Sequence, residues 1–493
     1  MTLFVLLLSL CLITTGMPSD AWGDDFAAYL SEGFAIADGR LEDQARINYF
    51  YHPTQVPEEV ENGRLVYVWG YPLIQALVYK MIGFDFDSII WYKIPLVLSL
   101  ALTGGVLVLF FRRRFSLFAA VALSVLFCNS GNLLDVLNTL YSDLPFLFFS
   151  MLTLLLIEVF IDSAAKSKKT VWLGIILGIS MWITYEIRLS GIAVCLVSVL
   201  GFVVAVLKKQ IKGKDRWAIL IPSAVLLLLI LVSEHFLLAP ATTNLTGITS
   251  REHGNNVKYY VTLLSIYFQT LLGMNVSSLG YLFFVAAVIG LLTKGWKENL
   301  HLTVLLLGTI YVVIILPYVQ SLRYFYNVLP FILMYLAYGF QFLGKHAKRL
   351  YASATGSGQE ETGKLSRLIT LTALSGALVL CCISPIGRAS YNLRHWGEKG
   401  AMDVYSPEAI EMYRYIQNEI PDDKIVAFPK PRALYLNTGH LSFRPGVNGH
   451  ELEDADYYLD TTFRFGDFLP LDLSEVEKTV EFQNAGYTLY RLQ

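Results

Sequence analysis

Apolar residues in this chain run in long blocks, and the blocks are divided by short clusters of Arg, Lys, Asp and Asn. Runs approaching the roughly 20 residues that cross a bilayer predict membrane helices. Eleven are read from the pattern: Thr2–Met17, Ile89–Phe111, Phe115–Phe127, Leu144–Ile161, Val171–Tyr185, Ser190–Leu207, Trp217–Leu238, Ser277–Thr293, Leu300–Tyr318, Tyr324–Leu343 and Leu368–Ile383. The first has no basic leader and is followed by many further runs, so it reads as a retained helix rather than a secretory signal. Tyr259 to Leu272 is apolar enough for another span, but counting it would place Lys294 on the wrong side. It is read as an interfacial helix.

Charge tests the parity of these spans. Arg112 to Arg114, Lys166 with Lys168 and Lys169, Lys208 to Arg216, Lys294 with Lys297, and Lys345 with Lys348 and Arg349 all fall on one side if the count holds. The positive-inside tendency makes that side cytoplasmic, with the amino terminus inside and the carboxyl terminus outside. The first outer loop, Pro18 to Ser88, carries twelve acids and four bases. Residues 385 to 493 are of mixed polarity and suffice for a small domain. In it, Ser406-Pro407 predicts a helix start running through Ile416, and Lys424 to Phe428 and Tyr487 to Leu492 read as strands. The expected architecture is an all-α polytopic membrane protein with about 11 transmembrane helices over 1–384, including the outer loop 18–88. A small extracytoplasmic α/β or α+β domain follows over 385–493.

Composition agrees. Of 493 residues, 16% are charged, against about 25% in soluble domains, and 55% are hydrophobic, with a mean hydropathy of +0.51. A formal net charge of -2 gives no basic excess for nucleic acid. Cys11, Cys128, Cys195, Cys381 and Cys382 lie in apolar stretches, which argues against a disulfide framework or a Cys-x-x-Cys site. The sequence has no Gly-rich phosphate loop of the P-loop type.

Candidate chemistry gathers at the predicted outer ends of the spans. Trp22-Gly23-Asp24-Asp25-Phe26 sets two carboxylates at the membrane boundary, where they can act as a general base, position a hydroxyl, bind a cation or simply form a solvated turn. Tyr141-Ser142-Asp143-Leu144-Pro145-Phe146 places a third acid on the same side, and its Ser-Asp pair also suits a helix cap. Gln320-Ser321-Leu322-Arg323-Tyr324 offers an arginine whose planar donors match phosphate oxygens, or a residue that snorkels to the interface. Glu186 and Arg188 read as a local ion pair. Arg251, His253 and Lys258 suit either phosphate contact or a solvated loop, and His52 suits surface packing as well as loop closure. Trp396, Tyr457 and Tyr458 offer sugar-stacking rings or domain packing.

Several of these segments together resemble the polytopic GT-C glycosyltransferases. They are the acid-bearing first outer loop, Gly70-Tyr71-Pro72-Leu73-Ile74 near its end, Ser142 to Phe146, and Arg323-Tyr324 followed by Pro330. The closest broad type resembles the bacterial relatives of protein O-mannosyltransferases and lipid A aminoarabinose transferases, over residues 1 to 343. That resemblance implies inverting transfer of a sugar from a polyprenyl-phosphate donor to an envelope glycan, lipid or protein acceptor on the outer face, in a bacterial inner membrane. It carries a catalytic role onto Asp24 first, then Asp25 and Asp143. Arg323 would bind the donor phosphate with Arg251 or Lys258 assisting, and Tyr71, His52, Glu186, Arg188 and Tyr324 would position substrate. A divalent cation is a candidate for the three acids, without a defined ligand set. The partners implied are the lipid-linked donor, its acceptor and membrane lipids, and no nucleic acid. The competing reading is a multi-spanning transporter or flippase for a lipid-linked or small polar substrate, and a third is a structural assembly subunit.

Overall fold

The computed structural model describes residues 1–17, 25–51, 67–166, 170–236, 254–271, 277–315, 321–355, 359–396, 403–446, 451–462, 474 and 476–492. Helix α1 (Thr2–Leu12) is followed by three helices of the first long loop, α2 (Asp25–Asp38), α3 (Leu41–Tyr51) and α4 (Gly70–Ile82). A short α5 (Ile89–Tyr92) leads into α6 (Ile94–Arg112), and then come α7 (Leu117–Cys128), α8 (Gly131–Asp135), α9 (Asp143–Ala165), α10 (Thr170–Ile187), α11 (Gly191–Leu207), α12 (Leu220–Phe236) and α13 (Gly254–Leu271). The bundle closes with α14 (Ser277–Gly290), α15 (Trp296–Glu298), α16 (Leu300–Ile315), α17 (Leu329–Thr355) and α18 (Gln359–Arg394).

This is a mostly helical, multi-spanning membrane protein, but the expectation of about eleven spans is not met. Among the described residues, five helices are long and apolar enough to cross: Ile89–Arg112, Asp143–Ala165, Thr170–Ile187, Gly213–Ser233 and Gly280–Glu298. A sixth is reached if α7 and the segment Gly131–Asn138, bent by 54°, count as one. Thr2–Leu12, Gly191–Leu207 and Leu300–Ile314 are apolar but shorter. At 1.5 Å per residue the 11 residues of α1 rise about 16 Å, half of a roughly 30 Å hydrocarbon layer. An apolar run in the sequence continues past the point where the helix stops.

Basic loops gather at one end of the bundle. Arg113 and Arg114 pair with Glu158 near the end of α9, Arg114 Nε donates to Asn299 Oδ1 at 3.0 Å, and Lys208 Nζ donates to the Lys297 carbonyl at 2.8 Å. Helix α13, read from sequence as interfacial, buries Tyr260, Leu264, Tyr267 and Phe268 against neighbours including α14 and α8. Helices α14 and α17 approach through glycines. A Cβ on Gly290 would fall 1.8 Å from the Tyr335 carbonyl oxygen, and one on Gly339 would fall 1.8 Å from that of Ala286.

At the opposite end sits the small C-terminal domain: α19 (Pro407–Glu419), β1 (Val426–Ala427), α20 (Pro431–Thr438), β2 (Ser442–Phe443), β3 (Tyr457–Thr461), β4 (Lys478–Gln483) and β5 (Tyr487–Leu492). Ser406 caps α19 as its sequence predicts, accepting from the Ala409 N–H. The sheet order is β2-β1-β3-β5-β4, parallel among the first three strands and antiparallel in the rest. Tyr457 and Tyr458, offered from sequence as sugar-stacking rings, are buried in β3. One continuous apolar core runs from α1, α6 and α9 into Tyr405, Met412, Tyr413 and Leu489 of this domain.

Lys93 joins the layers. Fully buried between α5 and α6, its Nζ donates to the Thr14 carbonyl at 2.8 Å, to the Gly16 carbonyl, and to Asn138 Oδ1 at 3.2 Å. Asn138 returns a bond from Nδ2 to the Leu12 carbonyl at 3.1 Å and accepts from the Thr14 N–H at 2.9 Å. These groups satisfy the backbone that the end of α1 leaves open. Asp403 of the C-terminal segment packs on the same strand of chain, where a Cβ on Gly16 would fall 1.8 Å from its Oδ2.

Candidate active site at the domain end of the bundle

Four charged side chains from four separate segments converge beneath the domain. Asp25 lies in the first turn of α2, and Asp143 opens α9. Arg188 follows the last residue of α10, and Arg323 stands in a 3-10 turn, Leu322–Phe325, whose preceding Ser321 hydroxyl accepts from the Arg323 N–H at 3.3 Å. Arg323 Nη2 lies 3.1 Å from Asp25 Oδ2, and Arg188 Nη1 lies 2.5 Å from Asp143 Oδ1. Asp143 is 2% exposed, and Arg188 is its closest charged partner. Arg323 Nε and Asp143 Oδ2 face each other at 4.0 Å, too far for a hydrogen bond, and among the described residues neither buried atom has a hydrogen-bond partner.

Aromatic rings wall this cluster. The Tyr67 hydroxyl donates to Asp25 Oδ1 at 2.8 Å while its ring stacks on Tyr29 at 4.0 Å. Tyr29 exchanges a 2.9 Å bond with the Ser142 hydroxyl and meets Tyr71 edge to face at 4.8 Å. Arg323 lies 4.6 Å from the Tyr141 ring centre, and the Tyr324 ring sits 5.5 Å from Arg323 and 5.6 Å from Arg188. Burial pushes the Asp25 carboxyl up, but Arg323 and the Tyr67 hydroxyl outweigh it, so Asp25 is held below the ordinary carboxylate range. Burial pushes the Tyr67 and Tyr29 phenols up, which keeps both protonated as donors. Burial works against the Arg323 charge, and Asp143 and Asp25 more than restore it.

A cavity of about 680 Å³ opens at this cluster. Asp25, Arg188, Arg323 and Tyr324 line its polar part, and α11 and α16 supply an apolar wall that includes Ala193, Gly308 and Val313. Ile192 and Val312 also line it and are 43% and 50% exposed, so the apolar part opens to the outside of the bundle between α11 and α16.

The structure brings together Asp25, Asp143, Arg188, Arg323 and Tyr324 of the residues expected from sequence. Tyr71 is buried behind Tyr29. Asp24, His52, Arg251 and His253 lie outside the described residues. Lys258 is exposed on α13 and is not among the described residues that line the cavity. Two expectations are corrected. Arg188 pairs with Asp143 rather than Glu186, whose Oε1 accepts from the Ser233 hydroxyl at 2.7 Å, because residues two apart do not face one another at a helix end. Ser142 makes no side-chain cap bond, since its hydroxyl meets Tyr29. Tyr67 and Tyr29 were not singled out from the sequence. Tyr29 stands four residues after Asp25 on one helix face, a readable signal, whereas Tyr67 is distant in sequence with no local mark. Among the described residues no three His, Cys, Asp or Glu side chains cluster as a metal site, and Asp25 and Asp143 each face an arginine.

The described residues thus combine a spanning helical bundle, paired acids and arginines, and a small mixed-sheet domain. The chain is similar in fold to ArnT from Cupriavidus metallidurans in the apo state, with a TM-score of 0.56 and 13% identity over 99% of this chain and 96% of that one. It is likewise similar to the archaeal oligosaccharyltransferase AglB from Archaeoglobus fulgidus, solved with an inhibitory peptide and a dolichol-phosphate, with a TM-score of 0.54 and 11% identity over 93% of this chain and 69% of that one. The apo form of the Archaeoglobus fulgidus oligosaccharyltransferase gives a TM-score of 0.56 at 11% identity, over the same shares of the two chains. At these identities the likeness is one of fold. No family model matches the sequence, and no curated protein matches it.

Proposed function

We propose that this protein transfers a sugar from a polyprenyl-phosphate donor to an acceptor hydroxyl or other nucleophile on the outer face of the membrane, with the basic end of the bundle cytoplasmic. The observation that carries this reading is the cavity, which two arginines and Asp25 line on its polar part and exposed apolar residues of α11 and α16 line on the rest. A lipid-linked phosphate has the same division: the prenyl chain lies along α11 and α16, and the phosphate meets Arg323 and Arg188.

The acceptor oxygen attacks the anomeric carbon as the bond from that carbon to the phosphate oxygen breaks, and the phosphate leaves with the bonding electrons. Attack from the face opposite the leaving group inverts the anomeric centre. Arg323 and Arg188 stabilise the negative charge gathering on the phosphate. The acceptor proton passes to Asp25 or, as the resemblance favours, to Asp24 beside it. Without donor, Asp25 is tied to Arg323 and is a poor base. A phosphate that takes up the Arg323 donors weakens that tie and raises the proton affinity of Asp25, so base strength follows donor binding. Asp143 holds Arg188 in place, and its unpartnered Oδ2 opposite Arg323 Nε accommodates a hydroxyl seated beside the gap.

The test is mass spectrometry of envelope glycans, glycolipids and glycoproteins from cells carrying the wild type, Asp24→Asn, Asp25→Asn or no protein. A sugar-sized increment present with the wild type and lost in an equally expressed acid variant is the expected result. Redistribution of a lipid-linked sugar across the membrane with no new glycosidic product would instead establish the flippase reading.

A further inference from the structure

Besides its charged groups and tyrosines, the cavity is lined by Ser190, Thr309 and Asn327. Asn327 is 8% exposed, yet among the described residues its amide makes no hydrogen bond, although it carries two donors and an acceptor. Thr309 on α16 is likewise without a bond. Other hydroxyls on helices of this bundle satisfy themselves: Thr103, Ser124, Thr184 and Ser198 each donate to the carbonyl four residues back, at 2.7 or 2.8 Å. A buried amide left without a partner is costly, and a ligand in the cavity would offset that cost. Both residues lie on the inner side of the charged cluster. Helix α16 starts beside the basic loops, where Asn299 accepts from Arg114, so Thr309 sits about 4.5 Å further from the domain end than Val312. Asn327 follows Arg323 by four residues, where the chain turns into α17. From there α17 runs toward the basic end, at which Lys294 Nζ lies 4.8 Å from the Tyr338 ring centre.

We propose that Asn327 and Thr309 bind the lipid-linked phosphate from its membrane side, the Asn327 amide and the Thr309 hydroxyl donating to phosphate oxygens that Arg323 and Arg188 do not hold. This rests on the reading of the cavity as the seat of a lipid-linked phosphate. The two arginines are each already paired with a carboxylate, Arg323 with Asp25 and Arg188 with Asp143, so a phosphate meets guanidinium donors that are partly committed. Asn327 and Thr309 add donors that are not committed, and they add no charge. Neutral donors on the inner side also set how deep the phosphate sits. That depth decides where the anomeric carbon stands relative to Asp25, and so how well it is placed for attack. The two residues are therefore specificity determinants for a phosphate that carries an apolar chain, which leaves between α11 and α16 while its headgroup rests on them.

A test that needs neither sugar nor acceptor uses the full chain in nanodiscs and titrates three probes by calorimetry: farnesyl phosphate, and its two halves, farnesol and inorganic phosphate. The wild type is expected to bind farnesyl phosphate more tightly than either half. Asn327→Leu and Thr309→Val are each expected to weaken farnesyl phosphate about tenfold, the loss of one hydrogen bond to a charged group, and to leave farnesol binding unchanged. Thermal unfolding without ligand supplies a readout that a packing role would move the other way. Asn327→Leu should melt no lower than the wild type, because its amide has no partner to lose. Should Asn327→Leu misfold, Asn327→Asp and Thr309→Val carry the test, and Asn327→Asp, which sets a carboxylate against the phosphate, is expected to bind farnesyl phosphate more weakly still. Unchanged farnesyl phosphate binding in the Asn327 and Thr309 variants, while Arg323→Gln weakens it, overturns the proposal. So does a wild type that binds inorganic phosphate as tightly as farnesyl phosphate, or that binds no farnesyl phosphate at all. The expected binding pattern in a protein that produces no sugar increment in cells would sink the transferase reading and leave the lipid-phosphate site standing.

Discussion

At the residue scale, the two arginines are not equivalent. Arg188 answers the nearly fully buried Asp143, while Arg323 bridges toward two acids of unequal exposure. Arg188→Gln is expected to lower stability by roughly 3 kcal/mol, since it leaves a buried carboxylate short of its closest partner. Arg323→Gln is expected to melt nearer the wild type and to lose about 10²- to 10³-fold in transfer rate, as removal of a charge-stabilising donor does elsewhere. Unfolding midpoints set against rates of sugar incorporation separate the two. Asp25 makes a second demand. Its folded pKa is depressed below 3.8, so its pairing contributes stability that is fully present above the ordinary carboxylate value and is lost as pH falls through the depressed one. Unfolding followed between about pH 5 and about pH 2 should show the wild type losing stability that Asp25→Asn never had. The sequence made these four charges legible because each interrupts or ends an apolar run. Their partners were not legible: Arg323 and Asp25 are 298 positions apart, and only tertiary packing chooses Asp143 over Glu186 for Arg188.

Helices teach a different lesson. Hydropathy located many helices of the bundle, α13 among them, yet misjudged several lengths, because a helix ends where its open carbonyls find other donors. The end of α1 shows this, as Asn138 and Lys93 take the Leu12, Thr14 and Gly16 carbonyls and the chain leaves the helix inside an apolar run. Buried lysines are not a feature that a hydropathy window registers. Helix contacts are set by details just as local. Gly339→Ala would drive a methyl into the Ala286 carbonyl and is expected to cost about 1–3 kcal/mol, seen as a lower unfolding temperature in detergent. Gly308 on α16 is the counterpart: it lines the cavity with open space beyond its Cβ position. Gly308→Leu is expected to leave unfolding almost unchanged while filling the space assigned to the prenyl chain, so sugar incorporation falls in a protein that remains folded. Loss of stability in Gly308→Leu, or full activity, would contradict that assignment.

For the whole molecule, the sequence foretold a bundle with a small domain after it, and three of the basic clusters, around Arg114, Lys208 and Lys297, meet at one end. It could not foretell that bundle and domain share one core, since the apolar positions of α19 and β5 read equally well as a self-contained domain. The contact between Gly16 and Asp403 gives that union a place in time. The two residues are 387 positions apart, from the numbers they carry, and a ribosome adding about 5–20 residues per second needs roughly 20 to 80 s to make the intervening chain. Gly16, at the end of α1, is therefore made long before its last neighbour exists. A nascent chain stalled before residue 403 would hold its membrane helices and its arginines but an unfinished seat for the acids. Competence then arrives as a late event in biosynthesis, after insertion rather than with it.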